Sequence, residues 1–145
     1  MVVSHVQTDG KASTTGALMH LMVEKYHKDM LPYVHLGPVA AFDMVKAKPF
    51  KPDPPEAETL QRPLYTMNGT GLGGDCDDKA IAYASYCKLV GIPYLFVAVR
   101  RKDHDTLHHV MCYVYINGRW VQADPTYSFN ALGREREQYA EYQVI

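Results

Sequence analysis

The sequence predicts an α+β fold in which a helix packs on an antiparallel sheet, and three stretches carry that reading. GTGLGGDCDDKAIAYASYCKLVGIP (69–93) is a glycine-rich loop leading into a helix. YLFVAVR (94–100) is an apolar run with the length and composition of a buried strand. HVMCYVYINGRWVQAD (109–124) is two apolar runs joined by Asn117-Gly118, a hairpin signal because both turn residues tolerate positive φ. Together they give a three-stranded antiparallel sheet covered by the Cys76 helix.

Each element has its own signals. Residues 1–12 are expected to be a loose tail. Ser13, Thr14 or Thr15 can cap a helix through ALMHLMVEKYHKDM (17–30), with Leu18, Met22 and Tyr26 as its apolar stripe and Leu21 and Lys25 beside it. Pro32 interrupts that helix. Pro49, Pro52, Pro54, Pro55 and Pro63 make residues 46–63 an extended connection. Asp75 is a good N-cap for the next helix, with Asp78 in its acidic first turn. Ala80, Ile81, Ala84 and Cys87 form one apolar face, and Gly91 followed by Pro93 ends the helix. The polar stretch RKDHDTL (101–107) reads as a loop.

Length and composition narrow the function. The 145 residues fit one domain, 1–145, with one core. An apolar fraction of 47% with 21% charged residues is that of an ordinary globular chain. Fifteen basic against 16 acidic residues give a net charge of -1, so neither nucleic acid nor an anionic membrane is expected as a partner. The N-terminal stretch lacks the apolar core of a signal peptide, and no apolar run is long enough to cross a bilayer. Three cysteines without a CxxC spacing suggest reduced thiols, and a cytoplasmic setting follows.

The chemistry concentrates around Cys76. A cysteine nucleophile needs a tuned thiol, a base, and a group that orients the base. Cys76 falls in the first turn of its helix, where unpaired N–H groups favour a thiolate and can hold an oxyanion. Gly73 and Gly74 let the chain turn sharply there. Asp75, Asp77 and Asp78 act in the opposite sense and raise the thiol pKa unless they face solvent. Sequence geometry alone leaves Cys76 open between a reactive thiol and a buried helix cysteine.

The hairpin register adds a sharper test. With a two-residue turn, facing residues sum to 235, so Ile116 opposes Arg119, Tyr115 opposes Trp120 and Met111 opposes Asp124. His109 then shares a face with Asp124 and lies diagonal to it, about 7–8 Å away along the backbone. His108 points to the other face. Asp124 can fix the His109 tautomer and aim the other ring nitrogen at the thiol. Against this stands a solvated cross-strand pair. His104 and His108 lack the ligand count and spacing of a metal site, so neither metal nor cofactor is expected. Cys87 and Cys112 read as core, and the 11 tyrosines as packing.

GDCDDKA (74–80), HVMCYVYINGRW (109–120) and WVQADPT (120–126) resemble, in order and spacing, the cysteine, histidine and aspartate motifs of the transglutaminase-like superfamily. FKPDPPEAETLQRP (50–63) resembles what phage and prophage members carry ahead of the cysteine motif. The resemblance covers roughly residues 15–135. It implies a papain-like α+β fold with Cys76 as nucleophile, His109 as general base and acid, and Asp124 as the orienting residue. It also implies acyl transfer at an amide bond of a protein or peptide substrate through a thioacyl intermediate. Met111 departs from the aromatic residue that many members carry two positions after the histidine. Gly74, Asp75, Gln61, Asn68 and Trp120 are candidates for substrate binding or the oxyanion site. The alternative is a phage or prophage assembly or binding module that keeps the fold without the activity, with phage structural proteins as partners.

Overall fold

The computed structural model describes residues 5–8, 11–53, 58–68, 73–135 and 139–145. Its elements run β1 (His5–Thr8), α1 (Ala12–Tyr26), a 3₁₀ helix (His27–Leu36), α2 (Pro38–Lys46), β2 (Glu58–Gln61) and α3 (Pro63–Met67). Then come α4 (Cys76–Val90), β3 (Tyr94–Arg100), β4 (His109–Ile116), β5 (Arg119–Ala123) and β6 (Glu141–Val144). Two antiparallel sheets result, β1-β2 and β5-β4-β3-β6. Among the described residues no helix is long and apolar enough to cross a membrane.

The expected α+β layering is present, with α4 packed on the larger sheet. Asp75 caps α4 in a reciprocal box with Asp78, and Gly91 ends it at φ 77. α4 is buried on almost every side, from Asp77 to Cys87, because α1, α2, α3 and the 3₁₀ helix surround it as well as β4. Asn117 and Gly118 take φ 54 and φ 80, as a two-residue primed turn requires. The observed pairs from Ile116↔Arg119 to Cys112↔Ala123 all obey the expected register. Val110, Cys112 and Val114 face the α4 core, while Met111 packs with Val97, Val99 and Tyr139 on the other face.

Four expectations change. Within the stretch read as a loose tail, His5–Thr8 pair with Glu58–Gln61, and α1 has already begun at Ala12. Consequently Ser13, Thr14 and Thr15 lie inside the first turn; Lys11 is the N-cap and makes no side-chain cap. The buried stripe of α1 keeps the expected Met22 and Tyr26 and adds Met19 and Val23, while Leu18 is only partly buried and Leu21 is exposed. Gly16 lies against Ile145: a Cβ there would sit 2.6 Å from the Ile145 Cβ. Finally, the sheet has a fourth strand, β6, whose four exposed residues gave no apolar signal.

The connection after α2 is extended as expected. Residues 49–51 run alongside the loop ahead of Cys76, through a parallel bridge between Phe50 and Gly74. Gly74 N–H donates to Pro49 O (3.1 Å), and Lys51 N–H donates to Gly74 O (3.0 Å). Pro54 and Pro55 of this connection, and residues 69–72 of the glycine-rich loop, lie outside the described residues. Lys79, wholly buried, closes the C-terminal end of α2 by donating to Lys46 O (3.2 Å) and Lys48 O (2.6 Å). Burial lowers its pKa.

Candidate active site

The helix start that presents Cys76 is built from carboxylates and glycines. Asp78 accepts from Asp75 N–H (3.2 Å) and Gln61 N–H (2.8 Å), and Asp75 accepts from Asp78 N–H (3.3 Å). Gly74 makes room for this, since a Cβ there would sit 2.5 Å from Asp78 Cβ. Gly73 holds φ 119 against Pro49, where a Cβ would be 1.9 Å from the carbonyl oxygen. Only glycine fits both demands.

Asp75, Asp77 and Asp78 are all buried, so solvent does not screen them from the thiol. Burial, then the charges of Asp77 and Asp75, push the Cys76 thiol well above its ordinary value, against a smaller opposing pull from Val110 N–H. The half-buried Cys76 Sγ donates to Asp77 Oδ1 at 3.5 Å. This shift favours the neutral thiol over the thiolate. Cys87 and Cys112 are buried and unpaired with each other; Cys112 Sγ donates to Ala80 O (3.3 Å), and burial pushes Cys87 up to about 12.

The opposing wall is the start of β4. His109 Nε2 and Asp124 Oδ2 are 2.7 Å apart, and both residues are at least nine-tenths buried. Asp124 Oδ1 accepts Thr126 N–H (3.1 Å). Burial alone would raise the Asp124 carboxyl; the hydrogen bond and charge of His109, with Thr126, outweigh it and hold the group below the ordinary carboxylate value. His108, on the other face as the register requires, stacks on His104 with ring centroids 3.8 Å apart. Burial and the neighbouring His104 lower its pKa.

Cys76 and His109 line one cavity of about 520 Å³, closed by Asp77, Leu107, His108 and Val110 among others. Of the other candidates, Gly74 and Asp75 shape the loop beneath Cys76. Gln61 Nε2 donates to Thr66 Oγ1 and Gly73 O (both 2.9 Å), so it braces the glycine loop. Asn68 is exposed at the end of α3. Trp120 is not brought to the site: it lies against Tyr115 near the hairpin turn, six residues or roughly 20 Å along β4 from His109.

Several residues of the site carried no sequence signal. Tyr127 and Tyr139 place their rings 5.4 Å and 6.5 Å from the His109 ring. Asn130 Nδ2 donates to Asp124 O (2.9 Å), and its own carbonyl accepts from Lys46 Nζ (2.9 Å). Asp53, anchored by Thr59, joins Asp75 and Asp78 in a cluster whose ligand oxygens lie within 4.8 Å of one another. Such oxygens could hold a hard cation. A proton does the same work, since burial and Asp53 push the Asp75 carboxyl up to about 7.

No curated protein matches the sequence at a significant level. Among solved structures, a candidate cysteine protease from Cytophaga hutchinsonii superposes at a TM-score of 0.48 with 15% identity. The match covers 91% of this chain and 50% of that one, so the chain spans about half the length of its structural neighbour. The sequence pattern of the transglutaminase-like superfamily matches residues 38–125. That span exceeds half of the chain and takes in Cys76, His109 and Asp124, and the chain belongs to the transglutaminase-like superfamily.

Proposed function

We propose that residues 1–145 work as one catalytic domain that transfers the acyl group of an amide bond in a protein or peptide through a cysteine thioester. The observation that supports this most directly is a single cavity bordered by a helix N-terminal thiol and a buried imidazole hydrogen-bonded to a carboxylate. Charged Asp124 can only accept, so in the neutral His109 ring Nε2 carries the hydrogen and Nδ1 keeps its lone pair. Nδ1 takes the Cys76 proton as sulfur attacks the amide carbonyl carbon. The oxyanion forms near the Cys76 backbone N–H, which has no partner within the helix. The imidazolium then protonates the departing amine as the C–N bond breaks, leaving a thioester. Water or an amine resolves it, and free Cys76 returns.

The raised thiol pKa favours a second reading, a non-enzymatic phage-type assembly or binding module that keeps the fold. One experiment separates the two. The folded protein is alkylated with iodoacetamide and mapped by peptide mass spectrometry. Base-assisted chemistry predicts that Cys76 reacts far ahead of Cys87 and Cys112. His109→Ala should abolish that lead, Asp124→Asn should diminish it, and His108→Ala should leave most of it. Equal reaction at all three thiols, or a Cys76 rate indifferent to His109, sinks the enzymatic reading.

A further inference from the structure

One hydrogen bond does not fix an imidazole. His109 sits at the first residue of β4, and its bond to Asp124 fixes the position of Nε2 but not the tilt of the ring plane. A second constraint must hold the ring plane if Nδ1 is to serve the thiol as a base.

We infer that Tyr127 is the positioning residue for His109, its ring holding the imidazole plane through stacking while the turn that carries it holds Asp124. This deepens the triad reading and rests on it. The two rings are 5.4 Å apart and tilted by 28°, within the range of offset stacking. Tyr127 is itself restrained. Arg101 Nη2 donates to its hydroxyl at 3.1 Å, and the Arg101 guanidinium carbon lies 5.9 Å from its ring centre. The exposed Phe129 ring lies 5.3 Å from the Tyr127 ring and within 3° of parallel. Phe129, Tyr127 and His109 thus form an aromatic ladder.

The ladder is locked to the acid. Asn130 N–H donates to Tyr127 O (3.1 Å), and Asn130 Nδ2 donates to Asp124 O (2.9 Å). Thr126 N–H reaches Asp124 Oδ1 (3.1 Å). A single turn therefore carries both groups that orient His109, the carboxylate and the ring. Tyr139, at 6.5 Å, adds a looser contact.

The test uses the whole chain as wild type, His109→Ala, Tyr127→Phe and Tyr127→Leu. The Cys76 alkylation rate is followed from about pH 7, where the thiol needs a base, to about pH 10, where it ionises more readily. Thermal melts accompany each variant. Tyr127→Leu should slow the neutral limb about 10- to 100-fold, the scale of a misplaced catalytic group. It should leave the alkaline limb near wild type. A merely structural loss would lower both limbs together and overturn the inference. Tyr127→Phe should restore the neutral limb, because it keeps the ring and loses only the Arg101 bond. A Tyr127→Phe as slow as Tyr127→Leu overturns it, as does a Tyr127→Leu that matches wild type at neutral pH. Should Tyr127→Leu melt out, Tyr127→Met supplies the ring-free variant. A rate independent of His109 overturns the triad reading and this inference together; a His109-dependent rate that Tyr127→Leu leaves untouched overturns this inference alone.

Discussion

Replacing Asp75 by asparagine should stabilise the protein, and more at pH 8 than at pH 5. Asp75 lies beneath Cys76 with Asp53 and Asp78, and their ligand oxygens fall within 4.8 Å of one another. Burial, then the Asp53 charge and hydrogen bond, push its carboxyl from 3.8 to about 7. A raised carboxyl means the folded state keeps a proton that the unfolded chain has released. Between about pH 4 and pH 7 the folded state therefore binds more protons, and stability falls as pH rises; above pH 7 the loss is complete and flat. At about 1.36 kcal/mol per pH unit the full rise is worth about 4 kcal/mol. Asp78 shares the cluster, so roughly 2–4 kcal/mol is the recoverable range. Asparagine keeps the N-cap acceptor for Asp78 N–H, and its amide can donate to Asp53 where the shared proton was. Urea melts of both proteins at about pH 5 and pH 8 measure the difference directly. An Asp75→Asn increment equal at the two pH values, or a wild type that the substitution destabilises more at pH 8, refutes the shared-proton account.

Two further outcomes follow from the same helix start. Asp77→Asn removes the largest charge acting on Cys76, so the thiol pKa should fall and alkylation near neutrality should rise several-fold; an unchanged rate would show that the Asp77 charge does not control the thiol. Gly74→Ala should destabilise by about 1–3 kcal/mol, because its Cβ would meet Asp78 at 2.5 Å and force the capping box apart; a neutral urea melt would show that the loop can give way.

The parts legible in the sequence are those set by short-range rules. Asn117-Gly118 fixes both φ signs and hence the register, which is why the diagonal of His109 and Asp124 could be drawn before any coordinates. Asp75 and Gly91 bracket α4 by their capping chemistry. What escaped depends on distant contacts. α2 carries Pro38 at its first turn and buries Ala41, Phe42 and Val45, but the proline-rich stretch behind it masked the pattern. α1 also meets Ile145, far along the chain, across Gly16, a contact no local pattern shows. Asp53 meets Asp75 only because Phe50 and Gly74 bridge, and Tyr127 meets His109 through an irregular turn without periodicity. Whether the aspartates faced solvent was the open question in the sequence; their burial answers it.

That burial sets the terms on which Cys76 can react. The helix N-terminus would favour a thiolate, and elsewhere such a position would be read as self-activating. Here the same first turn carries Asp75, Asp77 and Asp78, all buried, and burial followed by the charges of Asp77 and Asp75 raises the thiol. Asp75 and Asp78 also supply the cap, and Asp78 holds Gln61, so the groups that burden the thiol are the ones that start the helix. Structure and reactivity thus conflict at a single turn of helix. The conflict is resolved if His109 takes the proton as the sulfur attacks an electrophile. Desolvation by the substrate would strengthen the Asp124–His109 bond as the imidazolium forms, whereas an empty site would keep its sulfur protonated. Cys76 then reacts with an electrophile only as His109 takes its proton. Its reactivity then depends on how well His109 is aimed, which places the turn from Asp124 to Asn130 at the centre of the chemistry.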